Sequence, residues 1–342
     1  MLNEKPILLF KEKSVELKKY FPRYVLEPTP LNLGIFERIW IGAIVGFIKM
    51  IIWIFLNPRK TSVGGLDKEE VNAVYSREAR TYNSKHHLTT RGQDLFWRRW
   101  AGWAIVSLCR NNSYSAKILD LCTGTGLTIK EIITVLEGWG IEAKITGLDY
   151  NANMLTIARS SVESASENIS VCFARGDATK LTYKSNSFDF VSQIFGIGGI
   201  DKPDKDFEEA LRVLKPGGHF IMADIHRPIP ELPGEWPFLL KWLRSSALEM
   251  SVHERVTVPL ALKRLWAWRD PTPTFYLLPL AVIEDSGGFW GFKTNFFEVT
   301  SERWWLGLPI MWTGKIIAKK VSVSKEIYEA RKAVLESCKI SD

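Results

Sequence analysis

Three acids and two glycines carry the chemistry legible in this chain: Asp120, Gly124, Gly126, Asp149 and Asp177. Residues Asp120-Leu-Cys-Thr-Gly-Thr-Gly126 close an apolar run that begins at Lys117 and lead into a helical pattern. Glycine at 124 and 126 lets a ligand lie against the backbone, where a side chain would block it. Asp149 ends the next apolar run about twenty residues after the loop, where an acid can take both hydroxyls of a ribose. These are the first strand, glycine loop and helix of a nucleotide-binding α/β unit, with its acid at the end of the second strand. The dinucleotide fingerprint requires a third glycine at position 129, and Ile129 stands there instead.

A phosphate cradle is not needed for S-adenosylmethionine, which carries a sulfonium and no phosphate. The sequence resembles class I methyltransferases that use this donor. Asp120-Leu-Cys-Thr-Gly-Thr-Gly126 is similar to their first motif, and Gly147-Leu-Asp-Tyr-Asn-Ala-Asn-Met154 to the ribose strand end and following helix. Gly176-Asp-Ala178 resembles the turn whose acid meets the adenine amino group. Ser187-Phe-Asp-Phe-Val191 resembles the fourth strand, and Arg212-Val-Leu-Lys-Pro-Gly-Gly218 the turn before the fifth. The resemblance implies a Rossmann-like α/β fold with a seven-stranded, mostly parallel sheet. It places S-adenosylmethionine over Gly124 and Gly126, with Thr123 and Thr125 lining the loop. Asp149 then takes the ribose, Met154 flanks the adenine, Asp177 meets its amino group, and Gln193 points toward the methionine end. Asp120, Tyr150 and Ala178 join these as cofactor-binding positions on the same motifs.

The resemblance narrows to the C-methyltransferases of ubiquinone and menaquinone biosynthesis. Residues 71–82 and 86–99 resemble that family's N-terminal cap, and Phe195-Gly-Ile197 its Phe-Gly-Leu. The family continues with Arg-Asn, whereas this chain reads Gly198-Gly199, and after Asp224 the similarity nearly disappears. It covers about residues 72–224. On the acceptor side, an imidazole or phenol could take a proton. His226, after the fifth strand, and Tyr82, on the cap, are the catalytic candidates, with His86, His87 and His253 weighed behind them.

The chain's 342 residues suffice for one α/β core with additions. Its four cysteines are far apart, without metal-ligand spacing or the density of a secreted framework, so reduced thiols and no metal are expected. A net charge of +7 with scattered basic residues and no RNA-binding motif argues against nucleic acid as partner. Fourteen tryptophans with a cationic surplus fit an anionic membrane surface better.

Residues 39–56 are apolar except for Lys49, in a stretch that starts too late for a signal peptide. A spanning helix needs about 20 such residues, and a central lysine costs about 2.5–3.5 kcal/mol. A single span, a helix in the headgroup plane and a buried helix all fit this length. Arg38, Gly42, Gly46 and Lys49 share one helical stripe, a lopsided wheel that favours an interfacial helix. Membrane association with a cytosol-facing catalytic domain is therefore expected.

Six segments follow. Residues 1–65 are the membrane-associating part, 66–115 a helical cap and 116–224 the cofactor-binding core. Residues 225–293 form a hydrophobic, Trp-rich helical insertion, 294–323 hold the last two strands and 324–342 a C-terminal helix. A greasy insertion beside the carboxyl ends of the strands suggests a lipophilic small-molecule substrate. The leading expectation is C-methylation of a prenyl quinol. N-methylation of an aminophospholipid headgroup and a non-catalytic cofactor-binding assembly protein are the alternatives.

Overall fold

In the computed structural model the described residues are 43, 68–90, 93–109, 115–162, 167–225, 274–285, 287–304 and 308–338. Most of the 39–56 stretch, His226 and residues 227–273 of the expected insertion lie outside them. No helix among the described residues is long and apolar enough to cross a membrane.

Two helices, α1 (Lys68–Thr90) and α2 (Gln93–Cys109), precede an alternating series. It runs β1 (Ala116–Leu121), α3 (Leu127–Gly138), β2 (Ala143–Asp149), α4 (Ala152–Ser161), β3 (Ile169–Arg175) and β4 (Phe188–Ile194). Then come α5 (Pro203–Val213), β5 (Leu214–Ile225), the short α6 (Thr274–Leu277), β6 (Val282–Asp285), β7 (Gly288–Trp304), β8 (Leu308–Val323) and α7 (Lys325–Cys338). The strands form one mixed sheet in the order β3-β2-β1-β4-β5-β8-β7-β6. Pairings from β3 to β5 are parallel, and those of β8, β7 and β6 are antiparallel. This is the Rossmann-like α/β fold that the sequence implies.

Among the described residues the sheet has eight strands, not the expected seven. The additional strand, β6, is a four-residue edge that pairs antiparallel with the start of β7. It lies inside the Trp-rich stretch assigned to the insertion, where so short a strand is masked by its apolar neighbours. The final hairpin is also longer than its sequence signal at 295–298 and 315–319, because β7 and β8 stay paired from Phe289↔Val323 to Trp304↔Leu308.

Side chains alternate across the pleat, which splits the core into two layers. Ile118, Ile145, Phe190 and Ile221 face α2 and α3, where Ile105, Ile129, Ile132 and Leu136 meet them. Leu119, Leu121, Val191, Phe220 and Met222 face Phe207 and Leu211 of α5 on the other side. Phe207, Ala210 and Leu211 recur at helical spacing, so α5 lays one apolar stripe on the sheet. The strand order reverses between β1 and β4, and ligands of open α/β sheets bind at the carboxyl ends beside that point.

Candidate cofactor and acceptor site

A cleft of about 810 Å³, mouth included, opens at those carboxyl ends. It is lined by Gly124, Asp149, Tyr150, Met154, Asp177 and Ala178, by Phe195 and Gly196, and by Lys68, Asn72, Tyr75 and Tyr82 of α1.

The glycine loop turns sharply, with Gly126 N–H donating to the Thr123 carbonyl at 3.0 Å. Its two glycines have different reasons to be there. Both have positive φ, +57° at Gly124 and +83° at Gly126. A Cβ on Gly126 would lie 2.6 Å from Val162 Cγ2, so packing against the end of α4 excludes a side chain. A Cβ on Gly124 would meet nothing closer than the Cys122 carbonyl oxygen at 4.0 Å and would project into free space. Gly124 also lines the cleft, which makes it a place for a ligand.

Asp149 is fixed by the loop it serves. Oδ2 accepts from Gly124 N–H at 2.7 Å and Oδ1 from Asn151 N–H at 2.8 Å. A carboxylate offers about four acceptor positions, so Asp149 retains acceptor capacity for a ribose hydroxyl. Burial raises its pKa, against the pull of the Asn151, Gly124 and Tyr150 amides. Asn151 caps α4, accepting Met154 N–H at 3.0 Å, and so places Met154 in the cleft wall.

On the adjacent turn, Asp177 Oδ1 accepts from Thr179 N–H at 2.9 Å and from the Thr179 hydroxyl at 2.8 Å, while Oδ2 accepts from Lys68 Nζ. Burial pushes its pKa up, but the Lys68 and Thr179 bonds outweigh burial and hold it below the usual carboxylate range. Tyr150 donates its hydroxyl to Glu69 Oε1 at 2.5 Å.

The other cofactor residues read from sequence, Asp120, Thr123, Thr125, Gly126 and Gln193, do not line the cleft. They brace it. Asp120, pushed up to about 6 by burial, accepts the Ser192 hydroxyl at 2.6 Å. Thr125 donates to Asn83 Oδ1 of α1 at 2.5 Å. Gln193 is fully buried, with its amide nitrogen 3.8 Å from Cys122 Sγ and Asp206 as a neighbour.

Aromatic residues gather around Tyr82 and Phe195. Tyr82 and His86, one helical turn apart, have ring centroids 5.4 Å apart, and His86 lies 5.5 Å from Phe195. Phe195 adopts φ +59°, unusual for a bulky residue, and Trp97 meets its ring at 5.4 Å. His86 Nδ1 sits 3.3 Å from Asp94 Oδ2, which also pairs with Arg98 Nε at 3.4 Å. Arg98 donates to the Thr128 hydroxyl at 2.7 Å and places its guanidinium 5.2 Å from the Phe195 ring. Burial lowers the His86 pKa, with Asp94 opposing, and raises that of Tyr82, with Arg98 opposing. Asp224, at the end of β5, is buried, pushed up to about 7, and acts on both Tyr75 and Tyr82.

Sequence reasoning brought Tyr82 to this cleft and missed Lys68, Asn72, Asn151, Asp94, Arg98 and Asp224. Asn151 had a readable signal, an Asn directly before a helical pattern. Lys68, Asn72 and Arg98 had no local signal, since Asp177, Asn151 and Thr128 lie far from them in the chain.

The sequence pattern of the ubiE/COQ5 methyltransferase family matches residues 63–235. A demethylmenaquinone methyltransferase of Leptospira interrogans serogroup Icterohaemorrhagiae serovar copenhageni is 38% identical over 172 residues, 50% of this chain and 65% of that one. The enzyme of that name from Staphylococcus epidermidis is 31% identical over 161 residues, 47% of this chain and 62% of its own. A third, from Renibacterium salmoninarum, is 29% identical over 213 residues, covering 61% and 82%. The chain therefore spans under two thirds of the length of the first two relatives.

Proposed function

This chain belongs to the ubiE/COQ5 methyltransferase family, and from that premise we propose that it methylates a ring carbon of a lipophilic prenyl quinol, using S-adenosylmethionine. The observation that carries the reading is one cleft in which Gly124, Asp149 and Asp177 share walls with Tyr75, Tyr82 and Phe195. The residues present fit the donor: the space beside Gly124 is open, and Asp149 keeps acceptor capacity for a ribose hydroxyl. When bound, S-adenosylmethionine supplies an electrophilic methyl group on its sulfonium.

The chain's own residues supply the rest. Asp149 accepts from the ribose hydroxyls, Asp177 from the adenine amino group, and Met154 packs against the base. The rings of Tyr75, Tyr82 and Phe195 give a planar acceptor an apolar wall and exclude water. Deprotonating a ring hydroxyl raises electron density at the neighbouring carbon. His86, packed against the lining rings of Tyr82 and Phe195 with Nδ1 toward Asp94, takes that proton; the ring-carbon proton is lost as the ring regains aromaticity, and the net products are the methylated quinol, the demethylated donor and one proton. Residues 39–56 bring the cleft to a membrane surface, where such an acceptor is dissolved.

Methyl-labelled S-adenosylmethionine, incubated with the full-length chain and total membrane lipids, tests the reading after extraction. Label in the quinone fraction supports it. Label in phospholipid replaces it with headgroup N-methylation, and no lipid label rejects both.

A further inference from the structure

We propose that Lys68 is a positioning residue for the carboxylate that reads adenine, which makes helix α1 part of the cofactor site. The inference rests on the cofactor reading above and goes beyond it, since nothing in that reading requires α1.

Asp177 stands on a tight turn closed by a bridge between Asp177 and Lys180. Three bonds hold its carboxylate: the Thr179 amide and hydroxyl on Oδ1, and Lys68 Nζ on Oδ2. An ionised carboxylate has about four acceptor positions. The one that remains is on Oδ2, the oxygen that Lys68 sets, and it suits a single N–H of an exocyclic amine. The ion pair also keeps Asp177 in its acceptor form, consistent with its lowered pKa.

Lys68 is itself placed by the walls of the cleft. Its ammonium lies 4.4 Å from the centre of the Tyr150 ring, and the Tyr150 hydroxyl is bonded to Glu69, the next residue of α1. Farther along α1, Asn72 and Ser76 hold the amide of Asn151, and Asn83 accepts from Thr125 of the glycine loop. Lys68, Asn72, Tyr150 and Asp177 line one cleft. Fixing a carboxylate before the ligand arrives removes the ordering cost from binding.

The test measures what the 6-amino group contributes. Adenosine and purine riboside differ only in that group, and each is competed against S-adenosylmethionine on the full-length chain by calorimetry. We expect adenosine to bind about tenfold tighter, Lys68→Met to cut that ratio to about threefold or less, and Lys68→Arg to restore it. A ratio unchanged in Lys68→Met, with both nucleosides weakened alike, means that Lys68 only supports the fold and overturns the inference. A ratio that rises means that Lys68 competes with the amino group, which overturns it too. Binding of S-adenosylmethionine with no preference for adenosine defeats this inference alone, whereas no binding at all also defeats the cofactor reading.

Discussion

The side-chain amide of Asn151 donates to Asn72 of α1, at 2.9 Å to its carbonyl oxygen and 2.8 Å to Oδ1, while Asn151 Oδ1 caps α4. One residue thus ties the cofactor wall to the cap helix. Asn151→Ala should lose the cap, worth about 1 kcal/mol, and leave the α1 acceptors without their donor. Urea denaturation should show a lower midpoint, and cofactor affinity should fall with it. An unchanged midpoint contradicts the latch.

The two loop glycines should respond differently to alanine. Both substitutions pay about 1–2 kcal/mol for the left-handed backbone. Gly126→Ala adds the contact with Val162 at 2.6 Å, so it should melt well below Gly124→Ala. Gly124→Ala should keep more of the fold while losing cofactor affinity, because its methyl group enters the cleft. Thermal melts paired with calorimetry separate the two, and equal melts contradict the assignment.

Buried acids should make the fold prefer mildly acidic solution. Burial pushes Asp120 up to about 6, and Asp206 and Asp224 up to about 7. Each raised pKa contributes stability that is fully present below the unfolded value near 3.8 and lost as pH rises through the folded value. Stability from these three should therefore fall between about pH 4 and 7. Asp206→Asn should flatten that slope, measured by urea denaturation across the range. A slope unchanged in the variant contradicts the account for Asp206.

Loss of the imidazole should act on turnover and not on cofactor binding. His86→Asn should lower kcat by about 10²-fold with calorimetric affinity for S-adenosylmethionine unchanged, and Asp94→Asn should lower kcat less. Burial lowers the His86 pKa, so the neutral base is present at pH 7 and its loss appears only on the acid side, below its ordinary 6.5. A His86→Asn enzyme with normal kcat and the same acid limb assigns proton removal elsewhere.

The cleft wall of Gly124, Asp149 and Asp177 was legible because its determinants are local. Strand, glycine turn and acid follow one another, and the sheet then gathers Gly124, Asp149 and Asp177 through parallel register, with Leu148↔Ala174 as one pairing. Gln193 shows the limit of such reading. A polar residue at a strand end was expected to point at the cofactor, yet the pleat turns it inward toward Asp206. The aromatic cluster around Phe195 was not legible because its contacts join distant stretches: Arg98 meets Thr128, and His86 meets Phe195. Nor did any pattern around Lys68 disclose a partner at Asp177.

Calorimetric titration of S-adenosylmethionine into the full-length chain and its Asp149→Ala variant tests the central claim most directly. Saturable binding to the unaltered chain is expected, weakened about 10- to 100-fold in the variant as one or two buried hydrogen bonds are lost. Absence of binding to the folded unaltered chain, or equal affinity in the variant, would contradict it.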